Sequence, residues 1–343
     1  MSAPTREAAA VFADALLEAG DPWGEFIARS LRGEREAAEA LRHTHEKTWL
    51  AGLRSYLTEL DYRDGLLFGA ALSRRAPQAK KRVAAAIDHP MLVTVRRLVR
   101  EKSPVKGANT TPFTAYRSFV LSERMRSLQE IDGSDLTLLR ELSQGGTRAI
   151  TSLLDVPFER PFLSVLAQSG LKPIGAIEFK LPADSLGAAL EEVRRAPACE
   201  GRALRMSFTS NESGANDLLA IEAWSQLRVA SLRVWDLTLT RTPDGTTATW
   251  EARGADYRLE KGLDPFHGGR LAAAVKDLKR VVFSGPAFPL DVAVAFAKRA
   301  LPGVSFENAA GAPVTTRKRA KVEQPETLGD HFVSFLDRIW GSR

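Results

Sequence analysis

Apolar residues near the N-terminus recur at the spacing of an α-helix. They stand three and four residues apart, which predicts one apolar stripe along a helix that faces a core. The members of this stripe are Ala8, Val11, Phe12, Ala15 and Leu16. Gly20 suits the end of this helix, because a residue without a Cβ accepts a positive φ.

Two further helices are predicted downstream. Asp21 and Pro22 suit the N-cap and the first position of the second helix, where the missing N–H of proline costs nothing. Helical periodicity then continues from Glu34 to Leu60 and predicts a third helix. Its inward residues are Leu41, Trp49, Leu53 and Leu57. Residues 1–75 are therefore predicted to form an N-terminal helical domain.

The segment Phe12–Ile27 also carries a family resemblance. Its sequence, Phe-Ala-Asp-Ala-Leu-Leu-Glu-Ala-Gly-Asp-Pro-Trp-Gly-Glu-Phe-Ile, resembles the opening of the bacterial repeat-companion domain of myxobacteria and planctomycetes. Trp49-Leu50 matches the Trp-Leu pair of that family, and residues 62–67, Tyr-Arg-Asp-Gly-Leu-Leu, are a looser match to a later segment. The resemblance implies a domain that often precedes leucine-rich-like repeats, and it implies no catalytic residues.

A second pattern begins after residue 90. Apolar triplets at positions 1, 4 and 6 of a leucine-rich pattern start at residues 174, 203, 229, 278 and 301, at intervals of 29, 26, 49 and 23 residues. The triplets are Ile174, Ile177 and Phe179; Ala203, Met206 and Phe208; Val229, Leu232 and Val234; Leu278, Val281 and Phe283; and Leu301, Val304 and Phe306. Weaker strands are marked by Val95 and Leu98, Leu128 and Ile131, and Ile150 and Leu153.

These repeats predict an α/β fold class. The N-terminal helical domain is followed by a degenerate leucine-rich-repeat-like solenoid with parallel strands over residues 76–308, with short helices near 185–195, 215–224 and 290–300. The long interval holds two β-rich runs around Pro243-Asp244-Gly245, which predict an inserted hairpin at 237–253. A doubly wound sheet uses similar elements, but the chain has no Gly-rich strand-to-helix loop.

Outward positions of the predicted strands are candidates for partner binding. In a solenoid, positions 3, 5 and 7 point away from the core on the concave sheet. These candidates are Glu178, Lys180, Arg205, Arg233, Trp235 and Arg280. Arg205, Arg233 and Arg280 are expected to form a basic ladder on adjacent strands, suited to an acidic partner. Trp235 either serves as a binding hot spot or packs under the hairpin.

The C-terminal part has two sections with different patterns. Residues 309–326 are polar and contain the basic cluster Arg317–Lys321, which predicts a flexible linker. Residues 327–343 predict an amphipathic helix whose apolar face includes Phe332, Phe335 and Trp340. A helix this short must dock to be stable, either on its own chain or on a partner.

The uneven distribution of basic residues along the chain suggests an alternative function. The 343 residues carry a net charge of +6, but the stretch from Arg74 to Lys106 holds ten basic residues against two acids. Such a patch is either a solvated surface or a phosphate-binding one. A nucleic-acid-binding accessory subunit is therefore the alternative interpretation, with Arg96, Arg97, Arg100, Lys102 and Lys106 as the contacts.

No motif points to a reaction. The single cysteine, Cys199, has no base next to it in the sequence, and no metal-ligand, phosphate-loop or nucleophile pattern occurs. No apolar run is long enough for a membrane span, and the N-terminus has no signal-like apolar stretch. We therefore expect a cytoplasmic, non-enzymatic scaffold or adaptor without cofactor, metal or small-molecule substrate, whose partner is another protein of the same bacterial system.

Overall fold

The computed structural model describes residues 6–101, 113–145, 149–182, 185–208, 216–234, 237–251, 274–284, 301 and 303–313, and the statements below concern these residues. Their helices are α1 (Arg6–Glu18), α2 (Pro22–Arg32), α3 (Arg35–Trp49), α4 (Lys80–Ile87), α5 (Phe113–Leu121), α6 (Leu136–Gly145), α7 (Arg160–Leu166), α8 (Leu186–Arg195) and α9 (Asn216–Trp224). None of the described helices is both long enough and apolar enough to cross a membrane.

The junction between α1 and α2 is built as its sequence predicts. Gly20 has a φ of 70°, a left-handed conformation that an ordinary side chain would strain. The Asp21 carboxylate accepts a hydrogen bond of 2.9 Å from the backbone N–H of Trp23, and Pro22 opens α2. Trp23 is buried, and its indole Nε1–H donates to the carbonyl of Gly65 at 3.0 Å. This bond ties α2 to the turn between the first two strands.

The buried face of α1 differs from the predicted one. Ala9 and Ala13 are buried, whereas Val11 is 65% exposed and Phe12 is 37% exposed. The reason is a close approach of the two helices at Gly24, where a Cβ would lie 2.7 Å from the carbonyl oxygen of Ala13. Small residues on both helices permit this contact. Of the larger residues of the predicted stripe, Val11 is therefore turned to solvent, while Phe12 and Leu16 lie at the edge of the core.

The third helix is also shorter than predicted. It ends at Trp49, and the chain turns into strand β1 (Leu57–Arg63), which pairs antiparallel with β2 (Leu66–Leu72). Asp64 and Gly65 form the turn between them with φ values of 48° and 78°. Asp-Gly with two positive φ values is the preferred pair for a tight hairpin, and this local chemistry overrides the helical spacing of Leu53 and Leu57.

The described strands form one open sheet in chain order. After β1 and β2 come β3 (Arg97–Arg100), β4 (Glu130–Asp132), β5 (Ser152–Pro157), β6 (Ala176–Leu181), β7 (Ala203–Phe208), β8 (Ser231–Val234), β9 (Leu237–Thr242), β10 (Gly245–Glu251), β11 (Leu278–Ser284) and β12 (Ser305–Asn308). Neighbours are parallel except at β1–β2, β8–β9 and β9–β10. The predicted hairpin is present as β9 and β10.

One buried ladder crosses the sheet from β2 to β12. Each strand contributes one apolar side chain in register with those of its neighbours, and each of these residues is at most 5% exposed. The ladder runs Ala70, Leu98, Ile131, Leu153, Ile177, Leu204, Leu232, Leu239, Ala248, Val281 and Phe306. It marks the inner face of the sheet, which shares its core with the helices.

Candidate functional site: the outer face of the sheet

Two rows of side chains lie on the opposite, outer face. The first outer row consists of Arg97, Glu130, Ser152, Ala176, Ala203, Ser231, Thr240, Thr247, Arg280 and Ser305. The second outer row consists of Glu178, Arg205, Arg233, Thr238, Thr249, Val282 and Glu307. Apart from Thr247, every member is at least partly exposed. Alternation of buried and exposed positions along each strand produces these two different faces.

Each arginine of the second outer row, and Arg280 of the first, lies beside a glutamate. An Nη1 of Arg205 lies 3.5 Å from Oε2 of Glu178 on the neighbouring strand. Arg233 pairs with Glu251, and Arg280 lies 3.5 Å from Glu307. Arg205 and Arg280 are exposed, and Arg233 is partly buried. Arg205 and Arg233 stand in register on β7 and β8, as the predicted basic ladder requires. Each of the three arginines also has an acidic neighbour, so the surface carries both signs.

The position of Arg280 corrects the predicted ladder. Arg205 and Arg233 are direct neighbours on β7 and β8, but β9 and β10 separate Arg233 from the strand of Arg280. Arg280 also belongs to the first outer row, where it pairs with Thr247 and Ser305. The inserted hairpin causes the separation, since its two strands join the sheet instead of lying over it.

Lys180 lies beside the Glu178–Arg205 pair. It is exposed and stands in register with Ser207 of β7. Together, Glu178, Lys180 and Arg205 present a compact polar group on two adjacent strands. Trp235, Phe332, Phe335 and Trp340 lie outside the described residues, and so does the predicted terminal helix. The helix predicted near 290–300 is also outside them.

The basic segment proposed for nucleic acid has a different structure from the one expected. Arg96 is 6% exposed and Arg100 is 4% exposed. Arg97 is accessible, but its Nε lies 3.6 Å from the Glu130 carboxylate. Arg96 and Arg100 are therefore unable to contact phosphates from this position, which corrects the prediction for these two residues. Lys102 and Lys106 lie outside the described residues.

Arg100 belongs to a buried polar cluster between β3, β4 and α5. Its Nε donates to Oδ2 of Asp132 at 2.9 Å, and its Nη2 donates to the Ser134 hydroxyl. The hydroxyl of Tyr116 donates to the Leu98 carbonyl at 2.9 Å and accepts from the backbone N–H of Asp132 at 2.7 Å. Burial raises the pKa of Tyr116 well above its ordinary value. This cluster joins the helix to two strand ends and holds its charges inside the protein.

Two further arginines, one buried and one exposed, support the strand array elsewhere. Arg202 precedes β7 and is 6% exposed, and its Nη2 donates to the carbonyls of Leu166 and Leu171 at 3.2 and 2.9 Å. Arg241 of β9 donates to the carbonyls of Trp224 and Leu227 at 3.0 and 2.7 Å. These guanidinium groups satisfy backbone carbonyls that α7, α9 and the turns after them leave open.

A groove between α2, α3 and the β1–β2 turn was not found from the sequence. Its volume is about 780 Å³, and its lining includes Phe26, Arg42 and Tyr62. The Arg42 guanidinium lies 5.7 Å from the centre of the Tyr62 ring and pairs with Glu39 and Glu46. The groove brings together residues 26 to 65, and no sequence spacing relates α2 and α3 to the β1–β2 turn.

The described residues contain no constellation that indicates a reaction. No group of three or more His, Cys, Asp or Glu side chains among them is arranged to hold a metal ion. Cys199 is fully buried, and burial raises the pKa of its thiol to about 11. A buried neutral thiol is a poor nucleophile. Comparisons with protein-family models, with curated proteins and with solved structures find no match for this chain.

Proposed function

We propose that this chain is a non-enzymatic adaptor that binds another protein through the outer face of its sheet. The observation that carries the proposal is the contrast between the two faces, one a continuous apolar ladder and the other a pair of accessible polar rows. Parallel sheets are ordinarily covered on both faces. In the part of the chain that the structure describes, the second face of this largely parallel sheet stays accessible and provides a broad and rigid surface for a partner.

The arrangement of the strands supports a solenoid of leucine-rich-like repeats. Ladder residues Leu98, Ile131, Leu153, Ile177, Leu204 and Leu232 follow one another at intervals of 33, 22, 24, 27 and 28 residues. Strands that neighbour in chain order at such intervals are typical of stacked repeats. In this proposal residues 1–75 are the repeat-companion-like domain that begins the stack.

Mixed charge on the outer face favours a protein partner over a polyanion. Glu178, Glu251 and Glu307 stand beside the arginines, so the surface carries acceptors as well as donors. A nucleic acid would be repelled by such carboxylates, whereas a folded protein can match both signs. Lys180 and Arg205 are the exposed cations best placed to contact an acidic group of that partner.

The test is a charge reversal on the outer face with a matched control. The face variant carries Lys180→Glu and Arg205→Glu. The control variant carries Arg126→Glu and Arg228→Glu, whose side chains are 75% and 80% exposed and lie outside the two rows. Proteins captured from an extract of the native host are identified for wild type and both variants, and affinities are then measured with the purified partner.

A partner that binds wild type and the control equally, and binds the face variant about tenfold more weakly, supports the proposal. Equal binding to all three proteins contradicts it. Binding of DNA or RNA that falls steeply with salt, and that the face variant leaves unchanged, would instead favour the nucleic-acid alternative.

A further inference from the structure

Helix α1 displays an apolar face that the rest of the described chain covers only at one edge, where the Phe12 ring meets the Trp23 ring at a centroid distance of 5.4 Å. Val11 is 65% exposed, Phe12 is 37% exposed and Ala15 is exposed as well. Helical spacing places these three side chains side by side, and we call them the α1 face. The opposite side of the helix is buried at Ala9 and Ala13. Clustered exposure of large apolar groups marks interaction surfaces.

An acidic border accompanies the α1 face. Glu7, Asp14 and Glu18 are exposed and are spaced seven and four residues apart, which aligns them in one strip along the helix. At about 100° per residue this strip runs directly beside Val11. A ligand for the α1 face is therefore apolar on one side and basic at its margin.

The terminal segment of the chain, residues 327–343, has the matching pattern. Its apolar side chains recur every three or four residues, at Leu328, Phe332, Phe335, Leu336, Ile339 and Trp340. Residues 314–326, which precede it, contain the four basic residues of the cluster Arg317–Lys321 and two acids, Glu323 and Glu326, and so carry a net charge of +2. An apolar stripe with a basic flank complements an apolar face with an acidic border.

Chain length disfavours docking of the segment on the α1 face of its own copy. Eleven strand-to-strand steps of about 4.8 Å separate β1 from β12 along the sheet, which is about 50 Å. Fourteen residues lead from Pro313, which bridges to Glu307 of β12, to Thr327, and they span about 50 Å when fully extended. A linker that must be stretched to its full length hardly raises the local concentration of the segment at the α1 face of the same copy.

We propose that the terminal segment of one copy docks on the α1 face of a second copy. The contact joins two different surfaces, so it does not close on itself in a dimer. In such a dimer one copy still has a free terminal segment and the other still has a free α1 face, so further copies can add head to tail. Charge at the border makes the association weaker at high salt.

Complementary variants of the full chain test this contact. The face-blocked variant carries Val11→Glu and Ala15→Glu, and the segment-blocked variant carries Phe332→Ser and Phe335→Ser. Sedimentation velocity over a wide range of concentration gives the mass of each. The wild type is expected to grow in mass with concentration, and each variant alone is expected to stay at the monomer mass.

An equimolar mixture of the two variants is the decisive sample. One variant keeps an intact segment and the other keeps an intact α1 face, so the mixture is expected to form a species of twice the monomer mass. This rescue also shows that both variants are folded. A matched control, Leu17→Glu, changes an exposed residue of the same helix about 120° away from Val11 and is expected to associate as wild type does.

Three outcomes would overturn the proposal. The first is a wild type that remains monomeric at every concentration; if its melting temperature also falls equally in both variants, the segment docks on its own chain. The second is a mixture that stays monomeric while the wild type associates, which would show that the segment does not bind the α1 face of a second copy. The third is association of one variant by itself, which would indicate a contact between identical surfaces.

Discussion

Arg100 and Arg205 belong to the same sheet and each pairs with a carboxylate, yet the two side chains differ in burial. The Arg100 side chain is 3% exposed and bonds to Asp132, whose side chain is 5% exposed. The Arg205 side chain is 46% exposed and lies 3.5 Å from Glu178. In the sequence, Arg100 stands in the densest basic stretch and Arg205 does not. The comparison shows that local charge density does not indicate where a charged surface lies.

The largest expected effect concerns the buried pair. We expect Arg100→Met to lower the free energy of unfolding by about 3 to 5 kcal/mol, because Asp132 is left charged without its guanidinium. Replacing both residues, in Arg100→Met with Asp132→Leu, is expected to restore most of this loss. Urea denaturation measures both. A loss below about 1 kcal/mol in the single variant would show that the pair is exposed in solution.

A smaller effect on the free energy of unfolding is expected from the buried thiol of Cys199. The folded thiol has a pKa of about 11 and stays neutral while an unfolded thiol ionises near pH 9. Its contribution to stability is therefore complete below about pH 9 and is lost as the pH rises toward 11. The stability advantage of wild type over Cys199→Ala should fall by about 2 kcal/mol between pH 8 and about 10.5. An advantage that does not change with pH would place the thiol in water.

The smallest energetic effect is expected for the Glu178–Arg205 pair of the outer face. A double-mutant cycle with Glu178→Gln and Arg205→Gln is expected to give a coupling energy of about 0.2 to 1 kcal/mol, because water reaches the Arg205 side chain, which is 46% exposed, although that of Glu178 is only 13% exposed. The coupling should decline with added salt. A coupling as large as that of Arg100 and Asp132 would mean that the outer face is covered.

The strand positions could be predicted because their apolar residues recur. Leu98, Ile131 and Leu153, which were marked as weak strands, all lie in the buried ladder. The spacing of the apolar residues did not give the correct strand register in every repeat. The repeats starting at residues 203 and 301 are displaced by two residues, since Leu204 and not Met206 pairs with Ile177, and Phe306 and not Val304 pairs with Val281. A shift of two residues keeps every side chain on the same face, so hydrophobicity alone does not reveal it.

The end of α3 and the buried face of α1 were predicted incorrectly, because helical periodicity was given more weight than turn residues and helix contacts. Asp64-Gly65 is a strong hairpin signal, but Leu53 and Leu57 continued a helical spacing and led to a helix that is too long. On α1, the larger apolar residues suggested the buried stripe, whereas the close contact with Gly24 required the small ones. Packing between helices depends on the partner surface, which a single periodicity does not contain.

The candidate site could be predicted only in part. Alternation along the strands correctly placed Glu178, Lys180, Arg205 and Arg280 on an accessible face. The pairing of each arginine with a glutamate depends on strand order and register, which become known only with the sheet. The burial of Arg96 and Arg100 likewise depends on α5 and β4, whose residues are distant in the chain.

Arginine footprinting tests the central claim most directly. The intact native chain is treated with an arginine-specific dicarbonyl reagent, and mass spectrometry gives the rate of modification at each residue. The account predicts that Arg205 and Arg280 of the outer rows react at least about tenfold faster than Arg96, Arg100 and Arg202, because the latter open to solvent only with local unfolding. Equal rates at Arg100 and Arg205, or protection of Arg205 in the isolated chain, would contradict it.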